Sequence, residues 1–352
     1  MSCLNRYQRL ACLTLASLCF SLATKPTLGA LEVPVISQTT SVKPESSLPG
    51  PSKEKIAEQV SGQKVSNADI QDVLSDVDSR IPSEFAIPKE LRANVNLWLK
   101  VYAQLTSQQV VIFDENHPEM IYDSLDFSEL SRTARNRAAY EITMKLRIKK
   151  AVAGIRGALA DLSKNAAPKN PNSMQKTILT NMKRMRHVHK FRDLIKTVRV
   201  QTGQRDFVVS GLAAAEVFFP HMDRIFKDLG VPPELTRLAL VESSFNVRAI
   251  SKVGAVGVWQ FMKPSAKEYM TVDASAGLDE RLSPLKSTVA AAKLLKRNHK
   301  ALGSWMLAIT SYNHGLRTFF ANRQLIKTQA GRLQLFDPCS HVKRKLGFAS
   351  RN

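Results

Sequence analysis

Residues 234–246 read Glu234-Leu235-Thr236-Arg237-Leu238-Ala239-Leu240-Val241-Glu242-Ser243-Ser244-Phe245-Asn246. Pro232-Pro233 opens this stretch, and Leu235, Leu238, Ala239 and Val241 recur at helical spacing, so a short helix with one buried side is expected over 234–244. The helix would start at Glu234 and carry a second carboxyl group, Glu242, to the end of an apolar run. Two further blocks follow in order. Gly254-Ala255-Val256-Gly257-Val258-Trp259-Gln260-Phe261-Met262 comes first, with two glycines suited to a tight turn, and Tyr312-Asn313-His314-Gly315 comes about fifty residues later. Around these blocks the pattern is helical. Leu212–Leu229 reads as one helix ended by Gly230, Thr288–Leu302 as an alanine-rich second, and Trp305–Tyr312 as a third. No alternating strand pattern occurs beyond Asp206. An all-α domain is therefore expected over 206–352.

The first thirty residues differ in kind. Arg6 and Arg9 precede an apolar run from Leu10 to Ala23, followed by Lys25 and a small-residue stretch ending in Gly29-Ala30. This is the pattern of a secretory leader over 1–30, with a run too short to span a bilayer comfortably as an uncleaved anchor. Cys19 follows Leu18, which fits a lipid-modified cysteine poorly. Export would place the protein outside the inner membrane, in the periplasm, either free or membrane-associated. Cys3, Cys12 and Cys19 would leave with the leader, so only Cys339 remains and no intrachain disulfide is possible. No Cys/His cluster has metal-ligand spacing, and neither a metal nor a cofactor is expected.

Residues 31–65 are rich in Ser, Pro, Thr and Lys, and read as a spacer without a packed core. A mostly helical, basic region is expected over 66–205. Ala68–Val77 is weakly helical, Glu90–Leu105 more strongly so, and Val110-Val111-Ile112-Phe113 before Asp114 reads as a short strand entering a turn. Ser131–Leu162 is helical by pattern. A break at 164–173 then separates it from a second basic helix expected over Ser173–Val200.

The 352-residue chain carries a net charge of +21, and the surplus is local. Between Ser131 and Val200 stand eighteen Lys or Arg residues against three acids. Such a region attracts polyanions. In an exported protein the available partners are anionic wall polymers or a membrane surface, and nucleic acid is not expected; a plain solvated helix face is the alternative.

The three blocks 242–246, 254–262 and 312–315 together resemble the catalytic domain of the lytic transglycosylases, most closely the membrane-bound lytic murein transglycosylase D branch. The resemblance implies a mainly α, lysozyme-like fold of the goose-type/soluble lytic transglycosylase kind, here preceded by the basic helical region. It implies action on peptidoglycan glycan strands. Cleaving a β-1,4 glycosidic bond needs a proton on the leaving oxygen, and a carboxylic acid kept neutral by burial can supply it. Glu242, after Leu238-Ala239-Leu240-Val241 and before Phe245, suits that role; an exposed glutamate paired with Arg237 or Arg248 is the competing reading. Most glycosidases use a second carboxylate. The next acids here are Glu268, Asp273, Asp279 and Glu280, and none is an obvious partner. That fits a family in which one glutamate acts first as acid. It then acts as base on the sugar's C6 hydroxyl, giving a 1,6-anhydro end.

By the same resemblance Ser251 and Gln260 line the sugar cleft, Tyr312 hydrogen-bonds the glutamate, and Asn313 lies near the N-acetyl group. Trp259, Phe261 and Met262 read as core, and Asp279-Glu280-Arg281 as a structural ion-pair cluster. Residues 347–352 resemble an internal stretch of the family, which leaves open a C-terminal truncation of the catalytic domain. Two other readings stand beside the transglycosylase: a hydrolytic muramidase, and a non-catalytic wall-binding protein.

Overall fold

Ser66 begins the first helix among the described residues with a reciprocal cap: its hydroxyl accepts from the Asp69 N–H (3.1 Å), while the Asp69 carboxylate accepts from the Ser66 N–H (2.7 Å). The resulting α1 spans Asn67–Ser75, and α2 follows at Arg92–Ala103. The computed structural model describes residues 65–76, 79–184 and 190–316. The expected leader, nearly all of the spacer, Cys339 and the final residues lie outside them.

After α2 come β1 (Gln109–Asp114) and β2 (Ile121–Asp126), then α3 (Ser128–Thr133), the long α4 (Arg137–Lys164), α5 (Ser173–Arg184), α6 (Phe191–Leu194) and β3 (Val198–Thr202). The strands form one antiparallel sheet in the order β2-β1-β3. β1 is central and covered on both faces, which explains its unbroken apolar run. Val110 and Ile112 face α4; Val111 and Phe113 pack with Leu97 and Val101 of α2.

The expected basic helix over 173–200 does not run through. Val198, Val200 and Thr202 alternate at strand spacing, and β1 offers an open hydrogen-bonding edge on that side. The register runs from Val110 opposite Thr202 to Asp114 opposite Val198. The pairing satisfies backbone groups that would otherwise be buried unpaired. The basic region is thus helical with a three-stranded sheet inside it.

Beyond β3 the chain is mainly helical: α7 (Arg205–Ala215), α8 (Phe219–Asp228), α9 (Leu238–Ser243), α10 (Lys263–Ala266), α11 (Pro284–Leu302) and α12 (Trp305–His314). A two-strand hairpin, β4 (Val272–Asp273) with β5 (Leu278–Asp279), interrupts them. The single helix expected over 212–229 is two helices. Pro220 sits in the first turn of α8, where its missing N–H costs nothing, but in mid-helix it would clash with the preceding turn. The helix expected over 234–244 likewise divides into a 3-10 turn at Pro233–Arg237 and α9. In α9 it is Leu240 that reaches the core, and Val241 is only half-buried.

The largest core joins α7–α12 to residues far upstream. Ile70, Leu74, Phe85, Val95, Leu99 and Tyr102 pack into one cluster with Phe226, Leu238, Trp259 and Leu295. Trp259 is fully buried and stacks on Phe226 at 5.6 Å between ring centroids. Among the described residues no helix is long and apolar enough to cross a membrane.

Candidate active site

Glu242 occupies the last turn of α9, on a helix anchored from behind. Arg237 is buried beneath α9. It pairs with Asp223 of α8, donates to the Thr236 hydroxyl (2.5 Å), and lies 4.3 Å from the centre of the Phe219 ring. Thr236 donates to the same Asp223 carboxylate at 2.6 Å. The end of α9 is fixed by a left-handed turn in which Ser244 (φ 51°) and Phe245 (φ 57°) are both non-glycine. Each such residue costs on the order of 1–3 kcal/mol, which the surrounding packing must offset. That packing is visible. Phe245 is buried between Phe218 (5.6 Å) and Phe219 (5.8 Å), and Gly211 of α7 lies so close that a Cβ there would stand 2.4 Å from the Ser244 carbonyl oxygen. Within this frame the Glu242 side chain is half-buried and its Oε1 is shut off from solvent.

The second block forms a small bridged loop. Val256 pairs antiparallel with both Ile250 and Phe261. Ser251 organises one end: its N–H donates to the Ala255 carbonyl (2.9 Å), and its hydroxyl accepts from the Ala255 N–H (2.9 Å). That leaves the hydroxyl proton to point elsewhere. Gln260 closes the other end in a left-handed conformation (φ 48°), with Nε2 donating to the Gly257 carbonyl at 2.8 Å. Both proposed cleft residues therefore sit on one loop. Gly257 (φ 78°) is required there twice over, since a Cβ would also fall 2.0 Å from the Arg281 carbonyl oxygen. Arg281 grips the same loop from below, donating to the carbonyls of Gly254 (3.2 Å) and Phe261 (3.1 Å) while paired with Asp279 (2.6 Å).

The three blocks meet at two adjacent carbonyls. Ser243, next to Glu242, donates its hydroxyl proton to the Val258 carbonyl (3.0 Å). Tyr312 of α12 donates to the Trp259 carbonyl (2.8 Å) and packs edge-on against Phe261. The Trp259 indole N–H donates in turn to Thr288 of α11 (2.9 Å), beneath the loop. Burial pushes the Tyr312 hydroxyl well above its usual value, and the neighbouring Glu242 charge pushes it further the same way. Asn313 is half-buried, one residue further along α12.

Four downstream acids have partners of their own. Glu268 pairs with Arg297 (2.5 Å), and Asp273 caps the turn at Ser275. The Arg281 hydrogen bond holds the Asp279 carboxyl below its ordinary range, and the Lys286 hydrogen bond does the same for Glu280. Arg281, expected only in an ion-pair cluster, also holds the loop carbonyls, and Ser243 and Thr288 act as hydrogen-bonding partners that no motif marks. Their signal was weak, because a serine beside a glutamate or a threonine in a helix is unremarkable until its acceptor is known. No group of three or more His, Cys, Asp or Glu side chains among the described residues could hold a metal ion.

Residues 227–339 match the family of the transglycosylase SLT domain, and all three blocks lie inside that stretch. The resemblance read from them is borne out over this third of the chain. Membrane-bound lytic murein transglycosylase D of Escherichia coli (strain K12) is 33% identical over 90 residues, 25% of this chain and 20% of the relative. A putative tributyltin chloride resistance protein of Alteromonas sp. (strain M-1) is 34% identical over 104 residues, 29% of this chain and 50% of the relative. The chain thus spans between a fifth and a half of the length of these two relatives. No solved structure matches.

Proposed function

We propose that the protein is an exported lytic transglycosylase that cuts the MurNAc-β-1,4-GlcNAc bond of peptidoglycan without water, leaving 1,6-anhydroMurNAc ends. The observation that carries this reading is the convergence of the Glu242 helix and the Tyr312 helix on the Val258 and Trp259 carbonyls. It joins the last turn of α9 and Tyr312 to the loop that carries Ser251 and Gln260, which supports a site built on Glu242.

Glu242 donates its proton to the leaving glycosidic oxygen as the bond to C1 breaks. The substrate's own N-acetyl group, positioned near Asn313, stabilises the positive charge that develops at C1. The carboxylate left behind then takes the proton of the C6 hydroxyl, whose oxygen closes onto C1. One carboxyl completes the cycle and is reprotonated by it, in keeping with the separate partners of Glu268, Asp273, Asp279 and Glu280. Tyr312 has a defined part. Its single proton goes to Trp259, so toward Glu242 it offers only lone pairs. It can accept from the protonated acid and cannot donate to the carboxylate, which favours the form of Glu242 needed for the first step.

The test is mass spectrometry of purified sacculi digested with the protein and with Glu242→Gln. Fragments ending in 1,6-anhydroMurNAc, reduced in the variant by roughly 10²–10⁴-fold, are expected. Reducing ends heavier by one water would make the protein a muramidase. An absence of soluble fragments from the folded protein would make it a wall-binding protein.

A further inference from the structure

Helix α4 carries apolar side chains on two opposite faces. Met144, Ile148, Ile155, Leu159 and Leu162 are buried toward the sheet, as the core requires. On the far side Ile142 and Leu146 project into solvent at 59% and 61% exposure, one turn apart. That row continues through exposed Ala153 and Gly157, and the glycine stands in open space. Folding of the domain gives no reason for this outer row. A glycine inside a helix lowers stability, and two large aliphatic side chains in water add nothing to the core.

Charge is arranged around the row. Arg147, Lys149, Lys150 and Arg156 are exposed along it, and none forms an ion pair among the described residues. The acids of α4 are Glu141, which pairs with Arg137 on the flank, and Asp161 near the C-terminal end. The middle of the outer face therefore combines two protruding aliphatic side chains with four cations.

We infer that the outer face of α4 is a docking surface for an anionic lipid bilayer, with Ile142 and Leu146 entering the boundary between head groups and acyl chains. Lys149 and Lys150 reach the lipid phosphates with their ammonium groups while their stems lie along the apolar row. Charge complementarity selects this occupant. A soluble polyanion would satisfy the cations but leave Ile142 and Leu146 in water. A second copy of the chain would bring like charges face to face. The inference is independent of the reading of Glu242.

The test places a local probe on the full chain. Leu146→Trp and, as a control on α11, exposed Lys293→Trp are mixed with vesicles of equal parts phosphatidylglycerol and brominated phosphatidylcholine, and tryptophan quenching is recorded. Quenching of the Leu146→Trp signal beyond that of the parent protein is expected. None is expected for Lys293→Trp, nor for either variant with brominated phosphatidylcholine alone. Because the probe is local, attachment through any other part of the chain does not imitate the result. Lys149→Glu with Lys150→Glu should lower vesicle binding by roughly tenfold or more and remove the added quenching. Vesicle-bound Leu146→Trp without added quenching would overturn the proposal. So would equal quenching at both positions. If the charge variant lost binding to lipid-free sacculi while Leu146→Trp stayed unquenched on vesicles, a wall polyanion would take the bilayer's place.

Discussion

At the scale of single residues, the proposed mechanism has Tyr312 accept from the protonated Glu242, with the direction set by the Trp259 carbonyl. The tyrosine hydroxyl donates to the Trp259 carbonyl, so Tyr312→Phe removes the acceptor proposed for Glu242 and strips that carbonyl of its donor. An unsatisfied buried carbonyl costs about 1–3 kcal/mol, which thermal unfolding of the variant should show. The expected effect on chemistry is distinct from that loss. With the neutral acid less favoured, the alkaline limb of the pH–rate profile should move to lower pH, which a purely structural role would not cause. Glu242 and Tyr312 could both be picked out from the sequence through their motifs. The direction of the tyrosine's proton could not, because its acceptor is a backbone atom that no side-chain pattern encodes.

At the scale of elements, the loop from Ile250 to Phe261 depends on its clamp to Arg281. Gly257→Ala forces a Cβ against the Arg281 carbonyl oxygen in a left-handed conformation, and a loss of about 2–4 kcal/mol is expected by denaturant titration. Cutting should fall with it, since Ser251 and Gln260 ride on the same loop. The Asp279–Arg281 pair adds a pH dependence. The Asp279 carboxyl is held below its unfolded value, so its stabilising effect is complete above the ordinary carboxylate range and disappears as pH falls through the lowered value. The melting temperature of Asp279→Asn should therefore lie below that of the parent near neutral pH and meet it in strong acid. β1 was legible as a strand because its apolar run is local. β3 was not, since Val198–Thr202 becomes a strand only when β1 offers it an edge.

Across the whole molecule, the first two helices belong to the same core as the candidate active site. Leu99 of α2 is fully buried in the cluster that holds Trp259 and Leu238. Leu99→Ala should cost about 2–5 kcal/mol. The loss should appear as faster hydrogen exchange in α9 and α11 as well as in α2, whereas an independent N-terminal region would confine it to α2. Asp206 adds a second tie, its carboxylate accepting from the Ser107 backbone N–H (2.8 Å) and hydroxyl (2.5 Å) at the turn before β1.

The sequence by itself pointed to the helical character of residues 206–316, the candidate acid, the two candidate cleft residues and the concentration of positive charge over 131–200. The helices and the charge follow from periodicity and composition, which act over a few residues at a time; the acid and the cleft residues follow from the family resemblance of the three blocks. Only the tertiary structure decided that Ser243 and Tyr312 meet at neighbouring carbonyls, that Pro220 divides the helix expected over 212–229, that upstream helices complete the core, and that α4 keeps an apolar row in solvent. Three of these are contacts, or missing contacts, between residues far apart in the chain. The Pro220 break is local, and it turns on one ring whose clash with the preceding turn outweighs an otherwise helical pattern.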